Sequence, residues 1–339
     1  MKRIGFIFLL LTLAFLSACG SQTGQGENSG STAELETIII TEPVRGYHWA
    51  PVYLAETLGY LEEEGLRAEF QTVSGSDSSI PVLAGEAQFG LRGVEMALMA
   101  NEAGQGCKIL FSTTSHYPFQ LIGASAEFAT VESLRGQVIA GGQGPTSAPH
   151  AFAKAVLMDG GLEPNVDASV ISMQSAGYLA AIAGGEIQAA VATNPWASKM
   201  LLDNGGVVII DGSDEEAMER LMGTTTYELF TLFAADAYIA EQPETVQKLV
   251  TATARAAQWM DSATPEEIAQ ALSPLFGGMD EEILYSAQQD KKRHIYSATG
   301  LHTESGFAAA VALTKLSGGI STDLSAEEIY DESFLKAKR

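Results

Sequence analysis

Leu83-Ala84-Gly85-Glu86-Ala87-Gln88-Phe89-Gly90-Leu91 returns, 100 positions later, as Ala183-Gly184-Gly185-Glu186-Ile187-Gln188-Ala189-Ala190-Val191. Each copy reads as the end of an apolar helix, a glycine stop, a Glu-x-Gln turn and a short buried strand. Glycine is the usual stop because it alone takes the left-handed conformation without penalty. Each strand runs into a loop, 92–95 or 192–195, that opens another helix, over 96–102 or 196–203. Short apolar runs alternating with helices indicate parallel strands covered on both faces. Two such units predict two similar lobes.

The pattern extends outward from both copies. Residues 37–40 read as a first strand, whose aromatic loop (Tyr47, His48, Trp49) leads into a helix over 50–63. A second strand follows at 67–73, and 74–79 supplies a Ser/Asp-rich cap to the helix before Gly85. Strands are expected at 108–114 and 119–124, joined by Ser115-His116-Tyr117-Pro118, and at 138–140, 170–172, 207–210 and 227–234. The loop from Gly141 to Ser147 opens a helix reaching residue 158, and a further helix covers 176–183. Pro243 begins a long helix to residue 260, with proline in the first turn, where its missing amide does no harm. Three amphipathic helices (265–275, 281–288, 304–316) complete the chain.

The N-terminus is not part of this pattern. Lys2 and Arg3 precede an apolar run that ends in Leu16-Ser17-Ala18-Cys19. A basic start, a short apolar core and small residues at the cut describe a secretory signal, too short for a lasting membrane helix. The cysteine directly after Leu-Ser-Ala resembles the lipobox of bacterial lipoproteins, which implies cleavage before Cys19 and lipidation of its thiol. The acyl chains would then anchor the domain at a membrane surface. From Gly20 to about Ala33 the chain is almost free of apolar residues and is expected to act as a tether. Cys19 and Cys107 are the two cysteines. With Cys19 lipidated, Cys107 has no partner and reads as a buried structural thiol. The formal charge is −23, or −25 once Lys2 and Arg3 leave with the signal. So acidic a chain argues against nucleic-acid partners.

Catalytic signatures are missing from the sequence. The five histidines (His48, His116, His150, His294, His302) show no metal spacing, and neither a Gly-x-Ser-x-Gly elbow nor a phosphate-loop signature occurs. No cofactor and no metal are expected. Binding chemistry is better supported. Ligands of open α/β sheets sit beyond the carboxyl ends of the strands, and Tyr47, Trp49, Tyr117 and Trp196 all follow expected strands. The glycine loop at 141–147, with Gln143, Thr146 and Ser147, either cradles an anion at a helix N-terminus or caps that helix. Arg92, directly after a buried strand, either meets a ligand anion or pairs with Glu95. The expected ligand contacts are Trp49, His48, Ser76, Asp77, Arg92, His116, Tyr117, Gln143, Thr146, Ser147, Asn194 and Trp196.

With these residues in hand, the chain resembles the substrate-binding proteins of ABC importers in the nitrate/sulfonate/taurine and thiamine-precursor (SsuA/THI5-like) group. Trp49-Ala50-Pro51-Val52-Tyr53-Leu54-Ala55-Glu56 followed by Gly59-Tyr60-Leu61-Glu62 looks like the family's opening helix. The two repeated stretches, Leu134-Arg135-Gly136-Gln137-Val138-Ile139-Ala140 and Asn194-Pro195 carry the rest. Gln88 and Gln188 depart from the family's usual Asp and look structural. The resemblance implies an α/β, two-lobed type II periplasmic-binding fold with hinge strands near 115–124 and 227–234. It implies a signal over 1–18, a tether over 19–34, a first lobe over 35–123 and 232–339, and a second lobe over 124–231. The implied function is capture of a small organic anion (a sulfonate, nitrate or carboxylate) and delivery to an ABC permease with its cytoplasmic ATPase. A planar vitamin precursor such as a thiamine pyrimidine is the alternative ligand, and an enzyme or a sensor on the same fold the alternative role. The iron-site cysteines of the family's pyrimidine synthases are absent, so no enzyme is expected. The chain is expected to be exported, lipid-anchored and monomeric.

Overall fold

The computed structural model describes residues 34–142 and 144–336. The expected signal, Cys19, the tether up to residue 33 and Gln143 lie outside the described residues. Ten strands follow one another: β1 (Glu36–Glu42), β2 (Leu66–Thr72), β3 (Phe89–Gly93), β4 (Cys107–Ser112), β5 (Gln120–Gly123), β6 (Val138–Ala140), β7 (Ser169–Ile171), β8 (Ala189–Ala192), β9 (Val207–Asp211) and β10 (Phe230–Ala235). The helices used below are α1 (Ala50–Thr57), α2 (Tyr60–Glu63), α3 (Ile80–Leu83), α4 (Val94–Glu102), α5 (Ala148–Asp159), α6 (Tyr178–Ala183), α7 (Trp196–Asn204), α8 (Glu215–Met222), α9 (Asp236–Glu241), α10 (Pro243–Ser262), α11 (Pro265–Leu272), α12 (Asp280–Lys292) and α13 (Glu304–Leu316).

The strands form two five-stranded sheets, β2-β1-β3-β10-β4 and β7-β6-β8-β5-β9. In the first, β1 is parallel to β2 and β3, while β10 is antiparallel to β3 and β4. The second repeats this plan: β6 is parallel to β7 and β8, and β5 is antiparallel to β8 and β9. The fold is thus two-lobed α/β, and the repeated sequence supplies the equivalent central strands β3 and β8. The turns ahead of them match as well. Gly85 and Gly185 take φ of 78° and 72°, the left-handed conformation that closes the preceding helix. Gln88 Oε1 accepts from Ile39 N at 2.8 Å, and Gln188 Oε1 accepts from Val138 N at 3.1 Å. Each glutamine therefore satisfies an amide of the neighbouring parallel strand, the structural role its sequence position suggests.

Side-chain alternation divides the apolar residues between faces. Leu121, Ile139, Ala189 and Val191 join the large cluster that also holds Ile38, Ile40, Leu91, Leu232 and the inward face of α10. Their neighbours Ile122, Ala140, Ala190 and Ala192 join a smaller cluster with Tyr178, Ile187 and Met200 on the opposite face. Cys107 is buried, and burial raises its thiol pKa to about 12, as expected of a structural thiol. No helix among the described residues is long and apolar enough to cross a membrane.

Three expectations need correction. The two strand runs assigned to hinges, 115–124 and 227–234, contain β5 and β10, each hydrogen-bonded on both sides within one sheet. A strand so held is fixed to its sheet, and the passage between sheets falls in the segments before it, 113–119 and 212–229. The helix expected over 50–63 is split at Leu58 and Gly59 into α1 and α2. Helix α8, capped by Asp214, which accepts from Ala217 N at 2.9 Å, went unforeseen because its composition is mainly charged.

Candidate functional site

The carboxyl ends of the parallel strands in both sheets meet at one cleft of about 100 Å³. The loop after β1 brings Pro43, Val44, His48 and Trp49, and the end of β3 brings Arg92, Gly93 and Glu95. From the second sheet, the loop after β6 supplies Gly142 and Ser147, and β8 with its following helix supplies Val191, Thr193 and Trp196. Phe230 enters from the start of β10, because an antiparallel strand begins where its neighbours end. Phe119 enters from the passage into β5.

Aromatic rings build one wall. His48 stacks on Phe230 with centroids 3.8 Å apart, and Trp49 meets the same phenyl ring edge-on at 5.3 Å. Phe119 adds a tilted contact to Phe230 at 5.7 Å. Several lining residues also carry polar atoms without partners. His48 Nε2, Trp49 Nε1, Glu95 Oε2 and Trp196 Nε1 are buried and have no hydrogen-bond partner in the structure. Buried polar groups are rarely left this way, since each costs about 1–3 kcal/mol if nothing satisfies it.

The charges in the cleft oppose one another. Burial lowers the pKa of Arg92, and Glu95 and Asp77 pull it back up. Burial raises the pKa of Glu95, against the pull of Arg92 and of its own backbone N–H. Burial also takes His48 down to a pKa of about 3, so its ring is neutral. Its Nδ1 lies 3.2 Å from Thr193 Oγ1 of the second sheet, and Tyr47 N donates to Asn194 O at 3.2 Å. The two halves are therefore joined directly across the cleft.

A larger cavity, about 330 Å³, lies among α10, α11, α12 and residues 294–298. Its polar lining is already engaged: Asp290 accepts from Asn194 and Tyr296, and Lys291 donates to Asp261 O. The smaller cleft, with its unsatisfied atoms, has the better claim to a ligand.

Of the residues expected to bind, His48, Trp49, Arg92, Ser147 and Trp196 line this cleft. Ser147 occupies the N-cap of α5, yet its hydroxyl donates to Gly144 O at 2.7 Å and caps no helix amide. Asp77 is exposed on the turn Gly75–Ser79, which also carries Ser76. Four others are placed elsewhere. Tyr117 is fully buried against Phe119, Phe152 and Tyr227, with its hydroxyl donating to Ala148 O at 3.1 Å. The Asn194 side chain is consumed by Asp290 at 2.7 Å and Ser198 at 2.7 Å. His116 Nδ1 meets His294 O at 2.8 Å, and Thr146 lines a second crevice with Glu95, Tyr227 and Thr314. Sequence reasoning missed Thr193, Phe119, Phe230 and the ligand-facing position of Glu95. For Glu95 a signal existed: an acidic residue two positions after Gly93, three after Arg92.

Comparison with known proteins agrees with this architecture. The chain is 25% identical to YtlA of Bacillus subtilis (strain 168) over 313 residues, 89% of this chain and 85% of that one; YtlA carries the name of a binding protein rather than a demonstrated activity. A ligand-binding component of an ABC-type import system from Staphylococcus aureus, solved with zinc bound, superposes with a TM-score of 0.72 at 12% identity, covering 90% of this chain and 99% of its own. The alkanesulfonate-binding protein SsuA from Xanthomonas axonopodis pv. citri, bound to MOPS, gives 0.66 at 18% identity, covering 88% and 99%. The desulfurization enzyme DSZB shares the fold too, with a TM-score of 0.63 at 14% identity over 89% of this chain and 98% of its own. The NMT1/THI5-like family model matches residues 47–268, which span the cleft-forming loops of both sheets, and the chain belongs to that family.

Proposed function

We propose that this chain is the solute-binding component of an ABC importer, holding a small molecule between its two sheets and presenting it to a membrane permease driven by a cytoplasmic ATPase. The observation that carries this reading is that four residues lining a single cleft, His48, Trp49 and Glu95 from the first half and Trp196 from the second, each carry a buried polar atom without a hydrogen-bond partner. A ligand that touched both halves would favour the closed arrangement over an open one, which is the condition for binding to drive closure. In this reading 35–112 and 230–339 form one lobe and 120–211 the other; the expected bounds at 123/124 and 231/232 shift because β5 pairs within the second sheet and β10 within the first. Segment 1–18 directs export, and lipidated Cys19 anchors a monomer through the tether 19–34.

Binding is favoured over catalysis by the one imidazole in the cleft. A His48 with pKa about 3 is a poor general base at neutral pH, where catalytic pKa values lie near the working pH. The test is a thermal-shift screen of the full chain against sulfonates, nitrate and carboxylates in one arm and planar pyrimidines in the other. A ligand at 100 times its Kd should add about 2.7 kcal/mol. Stabilisation by some solute without its chemical conversion is the expected result. Turnover of the bound solute in the absence of a permease would overturn the reading.

A further inference from the structure

We propose that Glu95 makes the cleft selective for solutes presenting an N–H donor edge and excludes isosteric anions. The inference rests on the binding reading above and specifies its ligand class. Glu95 is 8% exposed, its Oε2 has no hydrogen-bond partner, and it lines the cleft beside the aromatic wall. The carboxyl is placed there by the local backbone. Glu95 sits in the first turn of α4, a nine-residue helix capped by Gly93. A Cβ at Gly93 would stand 2.0 Å from Glu95 Oε2 and 2.5 Å from Oε1, so the glycine leaves the room into which the carboxyl folds. The helix N-terminus and Arg92, the charge immediately beyond Gly93, favour the ionised carboxylate and oppose the burial that raises its pKa; the selectivity belongs to the ionised form, so the titrations are run at pH 8.

The cleft's complement of unused groups then dictates the ligand. The indole N–H groups of Trp49 and Trp196 are donors and require acceptors; a carboxylate oxygen is an acceptor and requires a donor. A carboxylate or sulfonate ligand answers the indoles and sets a second negative oxygen against Glu95. An amide or sulfonamide of the same shape answers both. Arg92 does not reverse this preference, because among the described lining residues its charge is matched by that of Glu95. Specificity of this kind comes from a repulsive element as much as from an attractive one. The sequence expectation of a small anion rested on Arg92 and the hydroxyl-rich helix starts, and left open that Arg92 pairs with Glu95.

The experiment is calorimetric titration of the full chain with two isosteric pairs, benzamide against benzoate and benzenesulfonamide against benzenesulfonate, in wild type and Glu95→Gln. The N–H member of each pair is expected to bind about tenfold or more tightly in wild type, the range of a hydrogen bond to a charged group. Glu95→Gln offers both a donor and an acceptor, so the preference should collapse, and an unchanged melting transition in calorimetry shows that the variant is folded. An anion binding as well as its partner, a preference unchanged by Glu95→Gln, or no binding by any of the four probes overturns the assignment. In each of those cases stabilisation by another solute in the broader screen leaves the binding reading standing.

Discussion

Replacing Arg293 with methionine should weaken the join between the two halves. Arg293 follows α12, and its guanidinium donates to Asp211 at 2.7, 2.9 and 3.0 Å, to Pro118 O at 3.0 Å and to Asp290 at 3.1 Å. Asp211 closes β9 of the second sheet, Pro118 lies in the passage between sheets, and Asp290 also accepts from Asn194. One side chain thus ties a C-terminal helix to the opposite sheet. Its side chain is 10% exposed and that of Asp290 5%, so removal leaves two carboxylates without their shared cation. Losing one partner of a buried pair costs about 3–5 kcal/mol. At about 2–4 °C per kcal/mol for a chain somewhat shorter than this one, melting should fall by roughly 6–20 °C.

The pH dependence supplies a sharper check on the same variant. Burial pushes Asp211 up, but Arg293 and the Ser213 bonds more than offset it, leaving its pKa below the usual value of 3.8. That group stabilises the fold above pH 3.8, and the contribution is lost as pH falls through the depressed value. Asp290 goes the other way: burial outweighs Arg293, Asn194 and Tyr296 and raises it to about 6. The native state therefore binds its proton more strongly, and stability falls as pH rises from about 4 to about 6. Without Arg293 both carboxyls shift upward, and protonation relieves them at low pH. The variant should lose more stability at pH 8 than at pH 5 by differential scanning calorimetry. A loss under about 2 °C at pH 8, or a larger loss at pH 5, would refute the account of Arg293 as a buried counter-ion.

Trp196→Phe keeps an aromatic ring but removes the pyrrole half of the indole with its buried N–H; affinity for the best solute of the screen should drop about fivefold or more, a loss larger than any accompanying change in melting. Gln188→Ala removes the acceptor for Val138 N and should cost about 1–3 kcal/mol in denaturant unfolding, with Gln88→Ala costing the same through Ile39 N. His48, with a folded pKa of about 3 against an ordinary 6.5, should show no NMR titration between pH 5 and 8. It stabilises the fold above pH 6.5, and that contribution fades as pH falls toward 3.

The repeated Gly-Glu-x-Gln-strand stretch carried most of the fold in the sequence. Its glycine stop, its glutamine at a strand start and its alternating apolar residues are local properties, set by backbone conformation and by period-two side-chain direction. For the same reason the loops beyond β1, β3, β6 and β8 were legible as one end of the sheets, and Trp49, Arg92 and Trp196 line the cleft they form. The sequence could not sort the aromatic residues. Tyr117 and Trp49 both follow strands, but Tyr117 turns inward at the crossing between sheets, while Trp49 meets Phe230, a residue 181 positions away. Asn194 looked like a ligand contact until Asp290, on a helix near the other end of the chain, claimed its amide. Glu95 gained its role only when Trp196 and Thr193 closed the cleft opposite it. Which polar atoms are satisfied depends on partners brought together by the pairing of distant strands, and no local pattern encodes that.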